Sequence, residues 1–290
     1  MEEKSGQNCD CNCSGSCSEE KNDAHSDESK DVFEKVPVNS YSSVKNVIAV
    51  MSGKGGVGKS LVTSLLASGF RKKGFEVGVL DADITGPSLP KMFGIKHLAQ
   101  VSELGLLPSE SSAGVKVMSI NLLMPKEDEP VIWRGPVLSG VVKQFWTDVV
   151  WTDLDYLFVD LPPGTGDVPL TVMQSLPLSG LIVVSSPQEL AVMIVNKAIK
   201  MAKLLDIPIL GLIENMSGFL CPNCGEEFLL FGPGRGRETA EKFRIPFLGS
   251  LPVDPRLSEL CDRGKIEEYD STLFNSVITE SLSATVGLEK

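Results

Sequence analysis

The chain has 290 residues, 42% of them hydrophobic and 22% charged, which is enough for one sizeable α/β core with length left over. A formal net charge of -11 argues against a chain that coats nucleic acid, because neutralising phosphates takes clustered Lys and Arg. No run of about 18 apolar residues occurs, and the acidic N-terminus "MEEKSGQNCDCNCSGSC" has no apolar signal core, so a cytoplasmic protein without a membrane span is expected.

Residues 1–45 are acidic, polar and poor in large apolar groups, the composition of a flexible tail. This tail holds Cys9, Cys11, Cys13 and Cys17 as C-x-C-x-C-x3-C, a spacing that in a reducing compartment suits a metal or cluster site better than disulfides. Residues 46–290 are expected to form one domain. "NVIAVM" reads as a buried strand, and a Gly-rich loop separates it from "KSLVTSLLASGFRKKG", which is apolar at helical spacing and closes on Gly74. Further buried strands follow in "EVGVLDAD", "YLFVDLPP", "GLIVVSS" and "ILGLIENM", with "QELAVMIVNKAIKMAKLLD" as an amphipathic crossover helix. This alternation predicts an α/β fold with a mostly parallel sheet flanked by helices and ligands at the carboxyl ends of the strands. "VIWRGPVLSGVVKQFWTDVVW" reads as an apolar helix in which Trp146 and Trp151 belong to the core, and the chain after Leu257 as a terminal helical region. His97 is read as a surface residue.

The chemistry concentrates in three places. In "SGKGGVGKS", Gly53, Gly58, Lys59 and Ser60 satisfy G-x-x-x-x-G-K-[ST] between a strand and a helix, the context a phosphate loop requires. The backbone of Gly53, Lys54, Gly55, Gly56, Val57 and Gly58 turns its N–H groups toward phosphate oxygens, Lys59 reaches the outer phosphates and Ser60 binds Mg²⁺. Carboxylates end two strands: Asp81 and Asp83 in "LDAD", and Asp160 in "FVDLPPG", a sequence of Walker B type that marks Asp160 for Mg²⁺ binding. Asp83 is the candidate for positioning an attacking water, while Asp81 also suits a turn or cap. The third place is "CPNCG", where Cys221 and Cys224 bring two thiolates to one metal, half of what Zn²⁺ or an iron-sulfur cluster needs. The rest must come from a second copy of the pair or from the N-terminal cysteines. A structural zinc and a redox dithiol stay open on these residues alone, and Cys261 reads as a half-buried helical thiol without a task.

"SGKGGVGKS", "DADITGPS", "VDLPPGTGD" and "ENMSGFLCPNCG", in this order from about Val47 to Leu260, resemble the Mrp (ApbC-type) iron-sulfur cluster carriers among the MinD/ParA-like P-loop ATPases. The resemblance implies ATP and Mg²⁺ as cofactors and a homodimer in which the early lysine, Lys54, crosses to the other subunit's phosphates. It makes Asp83 the residue that orients the water, Asp160 the Mg²⁺-linked switch residue, and Asn215 with Pro252 and Asp254 the adenine contacts. It places a [4Fe-4S] cluster between the Cys221 and Cys224 pairs of two subunits, for transfer to apo iron-sulfur proteins. Trp133, Arg134, Gly135 and Pro136 resemble the family's "WRGP" element, while the N-terminal cysteines depart from the wider spacing of relatives that carry a second cluster there. A MinD/ParA-like positioning or partitioning ATPase with a structural zinc is the alternative. The few basic residues of "EEYDSTLFNSVITESLSATVGLEK" lack the face a membrane-bound version needs, and the overall acidity disfavours a DNA-bound one, so neither membrane nor nucleic acid is expected as a partner.

Overall fold

The computed structural model describes residues 35–84, 86, 88–124, 135–221 and 223–286. Cys9, Cys11, Cys13 and Cys17, and Trp133 and Arg134 of the "WRGP" element, lie outside the described residues. The N-terminal half runs β1 (Ser43–Ser52), α1 (Lys59–Lys72), β2 (Val77–Asp81), α2 (Leu89–Met92), β3 (Gln100–Ser102), β4 (Gly105–Leu107), β5 (Ser109–Glu110), β6 (Lys116–Met118) and α3 (Gly135–Thr147). It continues with β7 (Asp153–Asp160), α4 (Asp167–Ser175), β8 (Gly180–Ser185), α5 (Glu189–Leu204), β9 (Ile209–Leu220), β10 (Glu227–Phe228), α6 (Gly236–Phe243), β11 (Phe247–Val253), α7 (Pro255–Asp262) and α8 (Thr272–Val286).

Among the described residues, nine strands join in one sheet of order β10-β9-β8-β1-β7-β2-β6-β5, with β11 also paired to β9. The pairings among β6, β2, β7, β1, β8, β9 and β11 are parallel, and only the short outer strands β5 and β10 run antiparallel. A parallel sheet needs cover on both faces, and the two-residue period of its strands supplies it. Along β1, Val47, Ala49 and Met51 pack with residues of α3, α4 and α5, while Ile48 and Val50 pack with residues of α1 and α8 on the other side. β7 divides in the same way, Leu157 and Val159 against Tyr156 and Phe158.

The α1 face is close-packed. Phe70 lies edge-on to Tyr156 and Phe158 with ring centroids 4.8 and 5.1 Å away, and Gly69 lets α8 approach so closely that a Cβ there would sit 2.4 Å from Ile278. Truncating a buried ring of this kind costs about 3–5 kcal/mol. On the other face Trp146 and Trp151 are core residues, as expected, with their indole N–H groups bonded to the Val36 and Phe145 carbonyls. Ordered packing begins ahead of Asn46: β1 opens at Ser43, and the Val36 N–H bonds to the Ser175 carbonyl at 2.9 Å.

The five long apolar runs all became strands. The hairpin of β3 with β4 and the two-residue β5 had no expectation, because two or three residues carry no periodic signal. β11 was also missed, since Gly249 and Pro252 interrupt a run that edge pairing to β9 nevertheless holds. Parallel alignment brings the ends of β1, β2 and β7 to one edge, where the phosphate loop, Asp83 and Asp160 meet.

Candidate functional site

The loop between β1 and α1 turns through left-handed Gly56 (φ 80) and Gly58 (φ 78). Gly58 caps α1 without a side-chain hydrogen bond, which leaves the first-turn N–H groups and the positive end of the helix for an anion. Both lie on a pocket of about 240 Å³ that Lys59, Ser60, Asp83 and Pro163 also line. Lys59 Nζ sits 2.7 Å from Asp160 Oδ2 and 3.7 Å from Asp83 Oδ2. The Ser60 hydroxyl donates to Asp160 Oδ2 at 2.5 Å, and the Thr63 hydroxyl donates to Oδ1 at 2.8 Å. Asp160 is fully buried, so this set of partners is what makes its charge tolerable there.

Asp81 is the register partner of Asp160 on β2 and equally buried. Burial, followed by repulsion from Asp160, raises its pKa to about 8, so near neutral pH it keeps its proton. Its side chain accepts the Asp83 N–H at 3.2 Å and the Ser119 hydroxyl at 3.0 Å, the turn-forming part its position in "LDAD" suggested.

The two lysines of the loop diverge. Lys59 points inward, whereas Lys54 is exposed, bonds Gln188 Oε1 at 3.3 Å and lines a separate depression of about 250 Å³ with Met216 and Phe231. On the third side of the loop, the buried Asn215 donates from Nδ2 to the Val57 carbonyl at 2.9 Å, and a Cβ on Gly58 would lie 2.3 Å from that same nitrogen. The next residue, Met216, takes a left-handed φ of 59, a bend in β9 that a bulky side chain adopts only under constraint. A larger pocket of about 450 Å³ lies between Phe219, Pro252, Arg256, Tyr269 and Leu273. Asp254 borders it, held by the Arg256 N–H at 2.9 Å as the cap of α7 and by the Tyr269 hydroxyl at 3.0 Å.

Cys221 follows the last residue of β9, and the turn to β10 closes with the Cys221 N–H on the Glu226 carbonyl and the Gly225 N–H on the Cys221 carbonyl, both at 2.9 Å. The N–H groups of Cys224 and Asn223, in that order of weight, draw the Cys221 thiol pKa below the usual range. Backbone donors to sulfur favour the thiolate, the form that ligates metal. Cys224 is exposed, and the residues after it, Phe228 to Phe231, form an exposed apolar ledge. Among the described residues no group of three or more His, Cys, Asp or Glu side chains is arranged to hold a metal ion, so these two thiols have no further ligand beside them in that set. Cys261 lies half-buried in α7, where burial pushes its thiol up to about 11, an inert state.

The family model described as ParA, NUBPL iron-transfer P-loop NTPase, matches residues 43–285. The chain belongs to this family. It is 50% identical over 225 residues to an iron-sulfur cluster carrier protein of Methanocaldococcus jannaschii, covering 77% of this chain and 78% of that one. Over 236 residues it is 44% identical to the cytosolic Fe-S cluster assembly factor CFD1 of Saccharomyces cerevisiae, covering 78% and 80%. Among solved structures, a nucleotide-binding protein of Archaeoglobus fulgidus in complex with ADP matches with TM-score 0.72 and 48% identity, covering 80% of this chain and 91% of that one. The cell-division ATPase MinD of Pyrococcus furiosus matches with TM-score 0.60 at 19% identity, over 82% and 99%, a likeness of fold.

Membership of the iron-transfer NTPases bears out the resemblance drawn from the four motifs. The fold brings Gly53 to Ser60, Asp83 and Asp160 together, and sets Asn215 against the same loop. Pro252 and Asp254 border the larger pocket, while Cys221 and Cys224 stand at the far end of β9. Thr63, Gln188 and Met216 escaped the sequence reading. Of these, only Thr63 had a usable signal, its place three residues after Ser60 on one helix face.

Proposed function

We propose that this iron-transfer P-loop NTPase is an ATP-binding, ATP-hydrolysing homodimeric carrier that holds a [4Fe-4S] cluster and passes it to apo-proteins. The observation that carries the reading is the Cys221 hairpin: a thiol pair with Cys224 exposed and Cys221 half-buried, the latter favoured as thiolate by backbone N–H groups, with no third ligand beside them among the described residues. A second copy of the pair completes a four-thiolate site, and an exposed position suits a cluster that must leave again. The names borne by relatives more than 40% identical, an iron-sulfur cluster carrier protein and an Fe-S cluster assembly factor, support an iron-sulfur cargo.

In this reading the nucleotide phosphates take the N-terminus of α1 and Lys59, which exchanges Asp160 for them. Ser60 and Asp160 offer hydroxyl and carboxylate oxygens, the hard ligands that fit Mg²⁺, and they would hold it on the phosphates, where it would neutralise charge. Asp83, on the pocket wall, orients the attacking water. Lys54, turned away from its own phosphate pocket, acts in trans on the second subunit's nucleotide. Asn215 uses one N–H on Val57, which leaves its other N–H and its Oδ1 for the edge of adenine, with Pro252 and Asp254 lining the base pocket.

Anaerobic reconstitution with iron and sulfide tests the proposal, using the full chain with Cys9, Cys11, Cys13 and Cys17 changed to Ser. About four iron and four sulfide per two chains is the expected yield. Zinc alone would sink the carrier reading and leave the positioning ATPase with a structural metal.

A further inference from the structure

We infer that Thr63, outside the phosphate-loop motif, is a positioning residue of the nucleotide site that fixes which oxygen of Asp160 faces the phosphates. The inference rests on the nucleotide-binding reading above and adds a residue to it. Thr63 is fully buried one turn along α1 from Lys59 and Ser60, so all three side chains meet the end of β7. Its hydroxyl donates to Asp160 Oδ1 at 2.8 Å; the other acceptor in reach, the Lys59 carbonyl at 3.0 Å, is neutral and farther away. A charged acceptor makes the stronger bond, so the hydroxyl hydrogen belongs to Asp160.

The consequence is a division of labour within one carboxylate. Oδ1 is engaged by Thr63, and Oδ2 alone meets the Ser60 hydroxyl and Lys59 Nζ. The terminal torsion of an aspartate is broad, so without Thr63 no α1 side chain would hold Oδ1, and the carboxylate could turn while Ser60 and Lys59 stay on either oxygen. Lys59 would then find two competing oxygens on Asp160, and the Ser60–Asp160 pair that fits Mg²⁺ would lose its alignment. Valine has the shape of threonine and fills the same space, so mere packing would accept it; a hydroxyl is needed only for the bond.

The test is titration of a fluorescent ADP analogue against a series of Mg²⁺ concentrations, for wild type, Thr63→Val, Thr63→Ala and Thr63→Ser, with thermal unfolding as the check on folding. Loss of one hydrogen bond to a charged group is expected to raise the Mg²⁺ concentration at half-maximal tightening about tenfold in the Val and Ala variants. Nucleotide affinity in EDTA should stay within about twofold of wild type, and Thr63→Ser should keep the wild-type midpoint. An unmoved midpoint in Thr63→Val or Thr63→Ala, or a Ser variant as impaired as the Val one, would overturn the inference. A wild-type chain whose nucleotide binding ignores Mg²⁺ would overturn the functional reading and this inference together.

Discussion

At the phosphate loop the buried polar groups meet their partners inside the chain: Lys59 on Asp160, Ser60 and Thr63 on the same carboxylate, and Asp81 with its proton kept by burial. At the Cys221 hairpin, which hangs from the same sheet, one thiol is shaped by backbone N–H groups, the other is exposed, and an apolar ledge follows them into solvent. A buried charge must be satisfied where it stands, because leaving it unpaired costs several kcal/mol, whereas an exposed thiol is solvated and can wait for its ligands. The difference separates buried groups preorganised against one another within one chain from a thiol pair left open to further ligands. β9 joins the two, with Asn215 on the loop and Cys221 directly after its last residue.

The largest test of that contrast is Lys59→Ala, which removes the cation from a buried carboxylate. Nucleotide binding should fall below detection by calorimetry, and urea unfolding should show a loss of about 3–5 kcal/mol; a stable variant that binds nucleotide would mean that Asp160 is not held by this pair. Lys54→Ala probes the outward-facing lysine: steady-state ATP hydrolysis should drop about a thousandfold, by analogy with a finger residue supplied from a partner, while affinity stays within about threefold. Equal losses in affinity and turnover would return Lys54 to its own subunit's pocket. For Cys221→Ala, chemical analysis after reconstitution should find no cluster iron, with nucleotide affinity within about twofold of wild type because the hairpin is exposed. Cluster retention would shift the ligands to the N-terminal cysteines.

The smallest effect concerns Asp81 in nucleotide-free protein. Its folded pKa of about 8 stands above the ordinary 3.8, so the native state holds a proton that the unfolded chain has released between those values. The stability this group contributes is therefore complete below 3.8 and is lost as pH rises through about 8. Asp81→Asn has no proton to lose: its Oδ1 still accepts the Asp83 N–H, and its Nδ2 donates to the Ser119 hydroxyl oxygen where the carboxyl accepted from it. Its melting temperature should gain on wild type by at least about 3 °C between pH 5 and pH 8, and parallel curves would show that Asp81 is ionised throughout.

The sheet was legible because its central strands are buried on both faces and stand out as apolar runs: the lengths "NVIAVM" and "GLIVVSS" need no partner to be recognised. The phosphate loop was legible for a different reason. Glycines at fixed offsets and a Lys-Ser pair between strand and helix are local requirements of backbone geometry, to which the structure adds the left-handed φ values of Gly56 and Gly58. β11, β5 and the β3 hairpin were not legible, since edge pairing rather than their own pattern holds them.

Sequence alone determined the parallel α/β fold, the phosphate loop, the strand-end carboxylates and the thiol pair, because spacing along the chain dictates each of them. Tertiary structure decided how they are used. It turned Lys59 inward and Lys54 outward, set Thr63 on Asp160, kept the proton on Asp81 and tied Asn215 to Val57. Those outcomes depend on which groups share a buried, low-dielectric space, and residues as far apart in sequence as Val57 and Asn215 come to share one only when the sheet brings them together.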